Sequence, residues 1–164
     1  MSDVQAVLDG VRRIVQALRA SSRRAEQDVG LSGAQLFVLQ RLAEAPALSI
    51  NELAARTHTH QSSVSTVVAR LVEKGLVRRA PAAGDARRVE LSLAPRARRV
   101  AGKGPDLAQA RLVQGIERLS AARRRQLAAM LAELATAMDA GATTPGMFFE
   151  DRPRVVRRAA RKRS

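Results

Sequence analysis

Residues 48–93 read LSINELAARTHTHQSSVSTVVARLVEKGLVRRAPAAGDARRVELSL, and the order of signals in this stretch decides the fold. Ser49 precedes an apolar run and Glu52 follows three residues later, the spacing at which each side chain satisfies a backbone N–H of the other at a helix start. Leu48 can staple onto Leu53 across that start. The helix it opens, Ile50 to about Thr57, turns Ile50, Leu53 and Ala54 inward. The segment THTHQSS resets the direction of the chain. A second helix follows from about Gln61 to Lys74, and Gly75 ends it. Val64, Val67, Val68, Leu71 and Val72 recur at helical spacing on its buried face. Ser62, Ser65, Thr66, Ala69 and Arg70 lie on the opposite side and its flanks, small or polar groups that allow close approach to another surface. Leu76–Ala80 and Arg88–Leu93 alternate apolar with polar residues around Pro81-Ala82-Ala83-Gly84-Asp85, which reads as strand, turn, strand. The expected fold is therefore mainly α with a small β-wing: a winged helix-turn-helix, which places its second helix in a DNA major groove.

The flanks are helical. Val4, Val7, Leu8, Val11, Ile14, Val15 and Leu18 form a stripe that predicts a helix from about Asp3 to Gln27, ending near Gly30. Ser32 and Gln35 repeat the capping box, with Leu31 able to staple onto Leu36. Phe37, Leu39 and Leu42 carry that helix's buried face as far as Pro46. After Pro95 the apolar positions are Val100, Leu107, Leu112, Val113 and Ile116, and Gly102-Lys103-Gly104-Pro105 should break the helix. Ser120 caps a last helix carrying Leu127, Met130, Leu131, Leu134 and Met138, expected to end at Gly141. A winged unit of this size cannot cover the apolar stripes at both ends of the chain. Their expected cover is a second copy, in a two-fold dimer. The organisation is thus a single domain over residues 1–144, with dimerisation helices at about 3–27 and 95–140 around a winged helix-turn-helix at about 31–94. Residues 145–164 form a linker and a basic tail, with Met147-Phe148-Phe149 expected to pin the linker onto the dimer.

The 164 residues suffice for a core without disulfide or metal staples. The chain has no Cys, Trp or Tyr and only three Phe, so its core is lean and helical, and thiol chemistry is excluded. The formal charge is +14, and half of that excess sits in Arg152–Ser164, which has seven Lys or Arg and no acid. A polyanion is the partner this implies, nucleic acid before membrane. No apolar run is long enough to span a bilayer and the N-terminus lacks a signal peptide's layout, so a cytoplasmic, nucleoid-associated location is expected.

Asp85-Ala86-Arg87-Arg88-Val89-Glu90-Leu91-Ser92-Leu93 resembles the D-x-R…L-T wing signature of the MarR (multiple antibiotic resistance regulator) family, with Ala94 in place of the usual Thr. VSTVVARLVEKGLVRR resembles that family's recognition helix and first wing strand. The resemblance covers roughly Leu31 to Pro95 by motif, matches helix order from about Asp3 to Ala140, and leaves the tail outside. It implies a homodimeric, sequence-specific transcriptional regulator of pseudo-palindromic DNA, usually a repressor, that responds to a small organic effector. It also implies an effector pocket between the first helix, the second helix and the helix after Pro95, with Leu36 and Phe37 as candidate lining residues.

Gln61, Ser62, Ser65, Thr66 and Arg70 are the candidate groove contacts, since hydroxyls bond phosphates or base edges while Gln and Arg can read base edges bidentately. Arg87 is expected at the wing tip, reaching into a minor groove, with Asp85 holding its guanidinium. Arg78, Arg79 and Arg88 should meet phosphates. His58 and His60 form an H-x-H pair, but two ligands without Cys do not complete a metal site. Their expected role is to cap the turn or meet phosphate. No nucleophile–base–carboxylate set and no Gly-rich phosphate loop is present, so neither an enzyme nor a cofactor is expected. The competing function is an architectural protein that coats DNA non-specifically through the basic tail.

Overall fold

Each helix start marked in the sequence is formed as the side chains dictate. The computed structural model describes residues 2–45, 48–140 and 144–150. In chain order the elements are α1 (Asp3–Val29), α2 (Gly33–Glu44), α3 (Ile50–Thr57), α4 (Gln61–Glu73), β1 (Val77–Ala82), β2 (Asp85–Leu93), α5 (Pro95–Lys103), α6 (Ala108–Glu117) and α7 (Ala121–Ala137). Ser32 with Gln35 and Ser49 with Glu52 close reciprocal capping boxes on α2 and α3. Ser120 caps α7 by accepting the Arg123 N–H. Pro46, Gly141 and the tail Arg152–Ser164, each given a role above, lie outside the described residues.

α2 is the hub. Gly33 through Leu39 and Leu42 are all buried, which suits a helix enclosed on every side, and α1, α3, α4, α5 and β2 contact it. Leu36, Phe37, Leu39, Leu53, Leu71 and Leu91 are among the fully buried side chains of this core. Two adjacent serines of α1 bind the hub and α6 together. Ser22 Oγ accepts the Gly33 N–H at 3.1 Å and Ser21 Oγ accepts the Ala108 N–H at 2.9 Å, so each satisfies an orphan donor at the start of a neighbouring helix. The expected break after Pro95 separates α5 from α6. Gly104 is required there for space, because a Cβ would come within 2.7 Å of the Leu36 side chain.

The wing is longer and tighter than the sequence suggests. Pro81 and Ala82 continue β1, Asp85–Arg87 belong to β2, and only Ala83-Gly84 remain as the turn, with Gly84 at φ +88°. The ladder pairs Pro81 with Val89 but Ala82 with Asp85. Ala86, Arg87 and Arg88 are therefore surplus residues of β2, bulged out of the ladder. Pro81 tolerates this position because a bulge needs no N–H from it. Leu48 adds a single bridge on the other edge, its carbonyl accepting the Leu91 N–H at 2.8 Å.

The terminal helices are open. Val4, Val7, Leu8, Val11 and Ile14 of α1 are exposed, and α7 buries none of its side chains.

Candidate nucleic-acid interface and the groove behind it

α4 turns its valines into the core and leaves its other side outward. Val64, Val67, Val68 and Leu71 are buried; Gln61, Ser62 and Thr66 are exposed, while Ser65 and Arg70 are half-buried at the flanks. The five candidate groove residues therefore share one side of a single helix. The Thr66 hydroxyl donates to the Ser62 carbonyl at 3.1 Å, so it offers only lone pairs outward. His60 is the N-cap residue of α4 but makes no side-chain cap, contrary to the capping role expected of it. His58 ends α3 in the left-handed region at φ 50° and places Nε2 3.3 Å from a Glu117 carboxylate oxygen at the end of α6. Among the described residues no group of three or more His, Asp or Glu is placed to hold a metal.

The wing adds detail to three expectations. Arg87 lies in the bulge that directly follows the turn, where it is exposed. Asp85 does not hold the guanidinium of Arg87; its carboxylate accepts the backbone N–H of Arg87 at 3.0 Å, an Asx-type bond that shapes the bulge. Arg88 is engaged within the chain. Its Nη2 donates to both carboxylate oxygens of Glu52, at 2.8 and 2.9 Å, tying the wing to the first turn of α3. Arg78 and Arg79 are both exposed on β1, and strand alternation sends them to opposite faces.

Glu52 links these parts. Its carboxyl is held below the usual glutamate range by the Ser49 backbone N–H first and the Ser49 hydroxyl second; desolvation opposes them, and Arg88 adds a smaller lowering. The capping box marks Glu52 in the sequence; its Arg88 partner, 36 residues on, carries no sequence signal.

Leu36 and Phe37, the residues expected to line an effector pocket, do not border the open space of the molecule. Both are enclosed in the core, and Phe37 lies beneath the Arg41 guanidinium at 5.3 Å. The open space is a groove of about 1180 Å3 between α1, α6, α7, the α3–α4 turn and the segment after α7. Its lining is mostly apolar, with Val11, Ile14 and Leu112 typical, and its polar groups include His58, His60 and Gln109. Gln109 is 8% exposed and its amide has no hydrogen-bond partner among the described residues. Of the three residues expected to pin the linker, only Met147 is buried, and it enters this chain's own core.

A family model described as MarR family matches residues 29–88. Over those residues the chain is similar to the MarR family. The HTH-type transcriptional repressor MdtR of Bacillus subtilis is 33% identical over 57% of this chain, and the chain spans 58% of that relative's length. The HTH-type transcriptional repressor Rv2887 of Mycobacterium tuberculosis is 27% identical over 74% of this chain and 88% of its own. The crystal structure of the MarR-family Rv2887 superposes with a TM-score of 0.51 at 25% identity, over 82% of this chain and 97% of that one. Both of these relatives are HTH-type transcriptional repressors. No helix among the described residues is long and apolar enough to cross a membrane.

Proposed function

We propose that the protein is a homodimeric, sequence-specific repressor of a pseudo-palindromic operator and that a small apolar effector modulates it. One observation carries this reading: the apolar stripe of α1 and the whole of α7 are uncovered beside a winged unit whose own core is closed. Val4 is 70% exposed, Met130 58% and Met138 69%. Monomers rarely leave so contiguous an apolar surface to water. A two-fold axis brings the same stripes of a second copy against them and leaves α4 and the wing free.

In such a dimer the two α4 helices meet successive major grooves, about 34–36 Å apart. Gln61, Ser62, Ser65, Thr66 and Arg70 then face base edges and phosphates. Arg78 and Arg79 serve the backbone. Arg87 enters the adjoining minor groove, where negative potential concentrates. Arg88 acts as an anchor of the wing rather than as a phosphate contact, because Glu52 already takes its guanidinium. The repressor sense follows the two named relatives. The apolar groove with the isolated Gln109 amide suits a small, largely apolar molecule with one hydrogen-bonding group.

Footprinting on the DNA flanking the protein's own gene tests the reading. The expected result is one short, two-fold symmetric protected site that Arg87→Ala weakens. Unbroken protection along the duplex, lost when the basic tail is removed, would instead make the protein a non-specific coat.

A further inference from the structure

The segment after α7 turns back to the winged unit and touches three parts of it. The Pro145 carbonyl accepts a bond from Ser63 Oγ, in the first turn of α4, at 3.4 Å. Met147 is 6% exposed and belongs to the hydrophobic core, while its neighbour Phe148 is 49% exposed. Phe149, at φ +57°, lines a small cavity with Leu18 and Ser22 of α1 and with Leu107 before α6. Glu150 closes the segment on itself. Its carboxylate accepts the Met147 N–H at 3.2 Å, and its own N–H donates to the Met147 carbonyl at 3.2 Å. Pro145, Gly146, Met147 and Phe148 also form one wall of the large groove.

We propose that residues 145–150 are an intramolecular strap that clamps the start of α4 to α1 and α6, with Met147 filling apolar space that an effector must open to enter the groove fully. The chemistry suits the role. Methionine is unbranched and adapts to irregular apolar gaps, and the turn held by Glu150 presents it without ordering a longer stretch. A tethered occupant acts at a high effective concentration. A diffusible ligand competing with it binds only the fraction of molecules in which the strap is open, so its apparent affinity falls by that fraction. The same clamp restrains the first turn of α4, where Ser63 lies next to the exposed Gln61 and Ser62. The consequence for DNA rests on the reading of α4 given above; the clamp itself does not.

Full-length Met147→Gln, compared with Val89→Ala at an exposed apolar position on the wing, tests the strap without DNA. Hydrogen exchange over Gln61–Val64 should accelerate about tenfold in Met147→Gln, and fluorescence of the apolar dye 8-anilinonaphthalene-1-sulfonate should rise several-fold. Val89→Ala should leave both at the wild-type level. Wild-type exchange and dye signal in a folded Met147→Gln would overturn the proposal, even if operator binding is intact. Should Met147→Gln not fold, the Ser63→Cys/Pro145→Cys double variant gives the answer, because the chain has no other thiol. Oxidation should slow exchange at Gln61–Val64 and lower the dye signal. Failure of the two thiols to join, or an oxidised form identical to the reduced one, would overturn the strap. A strap that passes these tests beside an Arg87→Ala variant with unchanged operator affinity would leave the clamp standing and sink the DNA reading instead.

Discussion

The winged unit and the terminal helices are built from the same few residues, yet they end in opposite states. In α4, Val64, Val67, Val68 and Leu71 are no more than 1% exposed; in α1 and α7, valines, leucines and methionines of equal hydrophobicity stand in water. The difference is one of enclosure. α4 has α2, α3 and β1 around it. α7 has leucines and methionines that no element among the described residues buries. One half of the molecule completes its own core and can carry charge and hydroxyls outward. In the proposed dimer the other is half of an interface.

The largest effect should come from opening the closed half. Phe37→Ala empties a fully enclosed site in the hub helix, and truncating a buried Phe costs about 3–5 kcal/mol, a large part of a typical domain's stability. The expected outcome is a strongly lowered urea midpoint with the cooperativity of unfolding retained. A variant as stable as the wild type would mean that the core does not depend on α2.

Placing a charge on the open half should act differently. Leu131→Glu, at a position 53% exposed in the single chain, should leave the winged unit folded and halve the mass seen by sedimentation equilibrium. Operator affinity should fall by about a hundredfold or more, since a linked second site contributes roughly that much. A dimer that survives Leu131→Glu would remove α7 from the interface and break the contrast between the two halves.

This contrast also marks what the sequence could show. The helix starts were legible because capping is local: Ser32, Gln35, Ser49, Glu52 and Ser120 lie within three residues of the donors they satisfy. The winged order and the break before α6 were legible from glycine, proline and spacing. What escaped was non-local. Ser21 and Ser22 look like ordinary helix residues until α2 and α6 present their first N–H groups. Arg88 reads as one more surface arginine until Glu52 meets it. The wing was misjudged because Pro81 argues against a strand, and only the three-residue bulge in β2 explains why one is tolerated. Leu36 and Phe37 read as pocket-wall residues although they are buried all round, because one-sided periodicity does not distinguish a fully enclosed helix from a pocket wall.

Within the winged unit, Arg87 separates function from folding. It is exposed and without an ion pair among the described residues, so Arg87→Ala should leave the melting temperature unchanged. A charge-assisted contact contributes about 1.5–3 kcal/mol, so operator affinity should fall by tenfold or more. Equal affinity for the operator would show that the bulge aims Arg87 at nothing.

The smallest effect is also the most specific, because it depends on one carboxyl that joins α3 to the wing. Ser49 and Arg88 hold the Glu52 carboxyl below its unfolded-state value. The stabilisation it supplies is therefore fully present above the ordinary glutamate range of about 4.3, and it is lost as pH falls through the lowered folded value. Thermal unfolding of wild type and Glu52→Gln should differ at pH 7 by a small, constant margin that persists to about pH 5. Further acidification should close that margin, since the protonated carboxyl no longer offers Arg88 a charge. A margin that stays constant down to pH 3 would mean that Glu52 acts only as a neutral cap, and that the wing is held to α3 by the Leu48–Leu91 bridge alone.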